Sequence, residues 1–254
     1  MKPRLVISIV SHGQGELIKD LLCDLNKIDF TNFSTVDLVL TLNIPEKEEY
    51  INFYNSKISV IRNSQPKGFG ANNNQAFRYI DSDYFVILNP DLRIESKFSF
   101  EKLIEIESKG AIAPQVKNSA GDVEDSVRKY PTFTNISQRV FFREKFSNYS
   151  CKEGGAVEVD WVAGMFILFN SLAFDRLGGF DEAYFMYLED ADICRRLNNS
   201  GFRVIYTSTQ SVVHDAQRKS FKSFSHLRWH VSSMLRFLLN SKLKNSKRSP
   251  ELRE

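Results

Sequence analysis

Short β-branched runs alternate with segments of helical period through the first 90 residues, and this alternation commits the chain to a sheet with many parallel strands. Leu5 to Val10 is such a run; after Ser11-His12-Gly13, Glu16 to Leu25 carries apolar residues at Leu17, Leu21, Leu22 and Leu25. That spacing predicts strand, turn, helix. Val36 to Leu42 and Ile58 to Ile61 read as two further strands. Lys67-Gly68-Phe69-Gly70 opens a helix through Arg78, and Tyr84 to Leu88 is a fourth strand stopped by Pro90. The expected class is α/β, with a mixed, mostly parallel central sheet flanked by helices. In such a sheet ligands gather at the carboxyl ends of the strands.

The second half changes character. Ala111 to Val116 and Val159 to Val162 read as strands separated by an irregular aromatic and basic region; Met165 to Phe169 is apolar, and Asp190 to Asn199 reads as a helix closed near Gly201. Val204 to Thr207 and Val212 to His214 follow as two more runs. From Phe224 the tail places apolar residues at Leu227, Val231, Met234, Leu235 and Leu238, with Arg228, Arg236, Lys242, Lys244, Lys247 and Arg248 around and beyond them. This predicts a basic amphipathic helix that either lies on an anionic membrane surface or packs on its own domain or a second subunit, as in a homodimer. The expected division is one domain over 1–214, with halves near 1–115 and 116–214, and a basic extension over 215–254. From Asp215 onward ten Lys or Arg face three acids, leaving 24 bases against 28 acids before it, so the net charge of +3 conceals an acidic body and a basic tail.

Hydrophobic residues make up 42% of the 254, enough for a buried core. No apolar run nears the roughly 20 residues of a membrane span, and no leader-like segment opens the chain. Cys23, Cys151 and Cys194 are an odd number at unrelated spacings, which supports neither a disulfide framework nor a zinc knuckle. A cytoplasmic location is expected, with peripheral attachment to the inner membrane face if the tail binds lipid.

Chemistry concentrates in Gly178 to Cys194, where a glycine turn and an aromatic stretch lead into Glu189, Asp190 and Asp192. Three carboxylates so close repel one another, a cost more often kept for function than for folding. Glu189 and Asp190 open a helix, where they serve as caps or as a general base. Asp192 precedes Arg195 and Arg196 by three and four positions, the spacing of an ion pair on the helix surface. Asn89-Pro90-Asp91 ends the fourth strand and places the Asp91 carboxylate where a hard divalent cation would bridge to a phosphate; a tight turn is the competing reading. His214 also ends a strand, as a metal ligand or a hydrogen-bonded structural residue. Gly68 and Gly70 before Asn72-Asn73-Asn74 offer amides to a phosphate or sugar, but the spacing fits neither a Walker loop nor a complete dinucleotide fingerprint.

Taken in order, Gly68-Phe69-Gly70 with its Asn run, Leu88-Asn89-Pro90-Asp91, Gly178-Gly179-Phe180-Asp181-Glu182, Phe185-Met186-Tyr187, Glu189-Asp190-x-Asp192 and His214 resemble family 2 of the nucleotide-sugar glycosyltransferases, which have a GT-A fold. The resemblance covers about residues 4 to 220. Ser126 to Pro131, Val159-Asp160-Trp161-x-Ala163-Gly164 and Arg228-Trp229-His230 look like bacterial rhamnosyltransferases of O-antigen and related polysaccharide assembly. The resemblance implies an inverting transfer of L-rhamnose from dTDP-β-L-rhamnose to a saccharide acceptor, a glycolipid on polyprenyl diphosphate or an oligosaccharide. It implies Asp190 as catalytic base and Asp91 and His214 as ligands of Mg²⁺ or Mn²⁺. Ser11, Asn43, Gly68, Asn74, Asn89 and Asp91 would meet the donor, and Trp161, Gly164, Glu189 and Arg128 the acceptor. Two positions depart from the family pattern: Leu42-Asn43 stands where an Asp-Asn pair is usual, and Asn89 where many relatives carry a first aspartate. A UDP-linked donor and a nucleotide-sugar-binding protein without turnover are the rival readings. Nucleic acid is not expected as a partner, given the acidic body and the lack of any recognisable module.

Overall fold

The computed structural model describes residues 1–106, 108–132, 149, 151–215 and 224–245 and, of 224 and 241–245, the backbone alone. Lys247, Arg248, much of the aromatic and basic region and part of the expected 215–254 extension lie outside the described residues.

Strand β1 (Arg4–Ser11) is flanked in parallel by β2 (Thr35–Leu42) and β4 (Tyr84–Leu88), with Ile9 opposite both Leu40 and Leu88; β3 (Ile58–Arg62) extends the parallel set beyond β2. On the other side β10 (Phe166–Asn170) runs antiparallel to β4 and to β6 (Ala111–Asn118), and β11 (Val204–His214) returns parallel to β6. Two short strands, β5 (Leu92–Arg93) and β8 (Ala156–Glu158), pair antiparallel with β11 and complete a nine-stranded sheet among the described residues. One sheet thus takes strands from both sides of residue 115.

Both faces of this sheet are covered, so its strands are apolar at successive positions. Leu5, Ile7 and Ile9 pack with Ile18, Leu21, Leu22 and Leu25 of helix α1 (Gly15–Leu25) and with Phe100 and Leu103 of α3 (Phe100–Ile104). Ile18 takes the inward position expected of Leu17. The alternate residue Val6 faces the opposite layer with Phe85 and Ile87. There α2 (Phe69–Phe77) contributes Ala76, α4 (Ser171–Arg176) Phe174, and α5 (Glu189–Asn199) Ile193 and Leu197.

Three expectations change on contact with the structure. The run Val159 to Val162 is not one strand: β8 ends at Glu158, and β9 (Trp161–Val162) pairs instead with β7 (Val127–Arg128) in a separate two-stranded ribbon. The break occurs at Asp160, whose carboxylate accepts the Tyr130 amide at 3.0 Å. The two runs Val204 to Thr207 and Val212 to His214 are one strand, interrupted by a register shift between Thr207 and Ser211. Finally α6 (Phe224–Asn245) has two apolar faces rather than one. Phe237 and Leu238 are buried against the body, while Leu227, Val231, Leu235 and Leu239 are exposed along the helix at intervals of four.

Candidate active site

Asn89-Pro90-Asp91 is both a turn and a delivery device. The Asn89 carbonyl accepts the Leu92 amide at 3.2 Å, reversing the chain so that β5 pairs with the end of β11 and sets Leu92 opposite His214. The Asp215 amide donates to the Asp91 carbonyl at 2.9 Å and locks the two ends together. As a result His214 sits between two carboxylates, with Nε2 3.1 Å from Asp91 Oδ2 and Nδ1 2.8 Å from Glu124 Oε2. Hydrogen bonding to Asp91, then to Glu124, pushes the imidazole up to about 9 against its burial, so it is protonated at neutral pH. Glu124 carried no signal in the sequence as a site residue. It arrives because the turn at Gly121 folds the chain back along β6, where the Glu124 amide bonds the Val116 carbonyl at 2.9 Å, and Asn118 of β6 lies opposite His214.

Asp91 Oδ1 is buried without a hydrogen-bond partner. Among the described residues no group of three or more His, Cys, Asp or Glu forms a metal cluster. An orphaned carboxylate oxygen at a strand's carboxyl end is nonetheless a ligand type that a hard divalent cation takes together with substrate oxygens. His214 would join it only by giving up the proton it shares with Asp91.

The second half of the site is built by the turn before α5. Gly179, at φ +71°, has no room for a side chain, since a Cβ there would lie 2.3 Å from Asn74 Oδ1. Asn74 clamps this turn from α2: its Oδ1 accepts the Phe180 amide at 2.8 Å and its Nδ2 donates to the Phe180 carbonyl at 2.9 Å. Gly68 is needed for a similar reason, because a Cβ would lie 2.5 Å from the Phe185 carbonyl oxygen. The chain then passes through two consecutive left-handed residues, Tyr187 at φ +73° and Leu188 at φ +65°, before α5 begins.

The acids that head α5 differ sharply. Glu189 is buried and its Oε2 has no partner. Asp190 is partly exposed, with Oδ1 accepting the Ala191 amide at 2.8 Å and Oδ2 the Gly164 amide at 2.9 Å. Burial raises both carboxyls, and the neighbouring Asp190 adds to the shift on Glu189, which reaches about 8. A raised carboxyl costs the fold nothing below its ordinary value of 4.5 and progressively more as pH climbs towards 8. Glu189→Gln removes that cost. Its melting temperature relative to the parent should therefore rise by a few degrees between pH 5 and pH 8, and an equal offset at both pH values would show that charge is not the cause.

These two halves adjoin. Gly164 bonds Asp190, and the next residue, Met165, accepts the Asn89 amide at 2.9 Å. Asp190 and the turn carrying Asp91 therefore flank one short stretch of backbone at the carboxyl end of β4. Trp161 and Arg128 join the same edge as partners across the β7–β9 ribbon, with the guanidinium 5.4 Å from the indole ring. Trp161 is buried and donates to the Lys129 carbonyl at 3.0 Å, whereas Arg128 is held by Asp125 at 3.0 Å and its charge reaches Asp190.

Of the residues expected to meet a donor, Ser11 is fully buried, with Oγ accepting the Gln14 amide at 3.3 Å. The Asn74 amide is taken up by the Phe180 turn. Asn43 is committed to the loop before Gly68: its Oδ1 accepts from the Lys67 amide at 2.8 Å and its Nδ2 donates to the Lys67 carbonyl at 2.9 Å. All three are tied into the protein's own backbone by these bonds. Asp192 pairs with both arginines as its spacing implied, at 2.9 Å to Arg195 and 2.7 Å to Arg196, but Asp192 and Arg195 are buried rather than on the surface.

The family model described as Glycosyltransferase like family 2 matches residues 3–232. The chain belongs to this family. It is therefore a glycosyltransferase, and its fold is GT-A. Among curated relatives, the rhamnosyltransferase WbbL of Escherichia coli is 30% identical over 93% of this chain and 93% of its own length. An N-acetylglucosaminyl-diphospho-decaprenol L-rhamnosyltransferase of Mycobacterium tuberculosis is 28% identical over 61% of this chain, which spans about half (55%) of that relative. Two solved structures share the fold at low identity. GalNAc-T7 with UDP, GalNAc and Mn²⁺ superposes with a TM-score of 0.66 at 14% identity, covering 87% of this chain and 44% of its own. The mannosyltransferase PcManGT of Pyrobaculum calidifontis with GDP-Man and Mn²⁺ gives 0.63 at 15%, covering 93% and 65%.

Proposed function

We propose that this family 2 transferase moves L-rhamnose from dTDP-β-L-rhamnose to a saccharide carried on a polyprenyl diphosphate, by a single displacement with inversion. The observation that carries the reading is the seat of Asp190, fixed on the Gly164 amide one residue from the junction that leads to Asp91. Burial raises its carboxyl, which makes it a stronger base than an exposed aspartate. Asp190 takes the proton of an acceptor hydroxyl as that oxygen bonds to the anomeric carbon; the bond from that carbon to the diphosphate breaks, and the electron pair leaves with the nucleoside diphosphate. The β-linked donor yields an α-linked product. Asp91, with His214 as second ligand, would hold a divalent cation whose chemistry is to offset charge on the departing diphosphate. Arg128 and Trp161 border the acceptor side. The relatives' names support the sugar and the lipid diphosphate.

Incubation with a panel of dTDP-, UDP- and GDP-sugars and Mn²⁺ or Mg²⁺, with an N-acetylglucosaminyl-diphospho-lipid as acceptor, tests this by release of nucleoside diphosphate. Release from dTDP-rhamnose alone supports it. Release from a UDP-sugar instead moves the donor, and binding without release from any donor defeats the enzyme reading.

The exposed stripe of α6 fits the same acceptor. No helix among the described residues is long and apolar enough to cross a membrane. Leu227, Val231, Leu235 and Leu239, beside Arg228 and ahead of a lysine-rich end, suit a helix lying in an anionic leaflet. Replacing Val231 and Leu235 together by Glu removes two apolar side chains worth about 1.5–3 kcal/mol each on burial. Sedimentation with anionic vesicles should fall at least tenfold. Unchanged sedimentation, or a dimer that the same change dissociates, would assign the stripe elsewhere.

A further inference from the structure

Helix α6 touches the site's most constrained backbone at three successive residues, Phe185, Met186 and Tyr187. The segment Phe185 to Leu188 carries two adjacent L-residues in the left-handed region and runs directly into Glu189 and Asp190, with no side-chain cap at the start of α5. Such a conformation persists only where surroundings over-determine it. On one side the Phe69 amide donates to the Phe185 carbonyl at 3.0 Å. On the other, Ser233 Oγ donates to the Met186 carbonyl at 2.8 Å, and a hydrogen bond of 2.8 Å links Tyr187 Oη with His226 Nδ1. The Phe185 ring lies 4.8 Å from that of Trp229, and the Tyr187 ring 5.2 Å from that of His230.

Further along, α6 is fastened to α5 itself. Arg195 Nη1 donates to the Phe237 carbonyl at 3.0 Å, and its guanidinium lies 3.9 Å from the Phe237 ring centroid. Arg236 pairs with Asp181 at 3.0 Å. The helix thus bridges from the body of α5 back to the turn that precedes it. This contact pattern gives Trp229 and His230, left without a role by the displacement chemistry, a place in the site.

We infer that α6 is a splint for catalysis: Ser233 and His226 are positioning residues that hold the Met186–Leu188 backbone so that Asp190 stays aimed at the acceptor hydroxyl. The inference rests on Asp190 being the base. Misplacing a catalytic group by a fraction of an ångström lowers turnover without weakening donor binding.

Three full-length variants decide it: Ser233→Ala, Tyr187→Phe, which removes the hydroxyl that meets His226, and Ser232→Ala on the exposed neighbour as control. With dTDP-rhamnose and the N-acetylglucosaminyl-diphospho-lipid, the first two should lower kcat about tenfold with donor KM and dTDP affinity by calorimetry within twofold of the parent, and the control should match the parent. The decisive readout is a double-mutant cycle. In an Asp190→Asn background Ser233→Ala should cost nothing further, because a splint acts only through the group it aims. A tenfold loss that persists in that background, or a parallel rise in donor KM, would overturn the splint in favour of a general structural role, as would unchanged kcat in both variants. If Asp190→Asn alone keeps full turnover, it is the assignment of the base that fails.

Discussion

Asp190→Asn should lower turnover by about 10²- to 10⁴-fold with donor KM nearly unchanged. The size is that of a positioned general base, the role proposed for Asp190, and the selectivity follows from where the side chain sits. Both carboxylate oxygens already rest on backbone amides, at 2.8 Å and 2.9 Å, so the isosteric amide keeps the shape of the pocket while losing basicity. Asparagine leaves one of those amides facing an NH₂ group but also removes a carboxylate whose charge burial opposes. The first costs about 1–3 kcal/mol and the second acts in the opposite direction, so the melting temperature should move by only a few degrees. Steady-state kinetics beside calorimetric dTDP binding checks the prediction. Near-normal turnover would remove Asp190 from the mechanism. A larger loss in Glu189→Gln than in Asp190→Asn would transfer the role to its neighbour, which is buried with Oε2 unpartnered.

How far such a site is legible without coordinates depends on the range of the contacts that make it. Strands β1 to β4, α1 and α2 are written in local periodicity, because each buries a regular face against one layer and its ends carry turn residues. The Asn89-Pro90-Asp91 turn was open to reading for the same reason: a strand stopped by proline tells where a side chain emerges. Glu124 was not. Its position depends on a reversal at Gly121 and on β6 and β11 being neighbours, and no spacing along the chain encodes that pairing. The asparagines of the 72–74 run show a second kind of contact that spacing does not encode. Polar residues beside a glycine turn look available to a ligand, yet Asn74 spends its amide on Phe180, more than 100 residues away. The two-faced character of α6 was half visible. Periodicity marks apolar positions but does not tell which row meets the body, and Leu227, Val231 and Leu235 went outward while Met234 and Leu238 went in.

Asp192 carries the clearest consequence of that distinction between surface and interior. At the surface its pairing with Arg195 and Arg196 would contribute a few tenths of a kcal/mol. Here the side chains of Asp192, Arg195 and Arg196 are only 5%, 10% and 15% exposed, and the carboxylate bonds both guanidinium groups at once. Taking it away leaves two largely desolvated cations side by side without this counter-charge, each still held by a backbone carbonyl, Arg195 by Phe237 and Arg196 by Leu177. Breaking a buried pair from one side costs about 3–5 kcal/mol, far more than the pair adds while intact. For a chain of this size that corresponds to a fall of about 10 °C in melting temperature on Asp192→Ala. Arg195 also holds the Phe237 carbonyl of α6, so the loss should spread to that helix and to the turn it supports. Thermal unfolding followed by circular dichroism, with and without 1 M salt, is the measurement. Screening would rescue an exposed pair but leave the deficit of a buried one nearly intact. A drop of no more than 2 °C, or its full recovery in salt, would return Asp192 to the surface role its spacing first suggested.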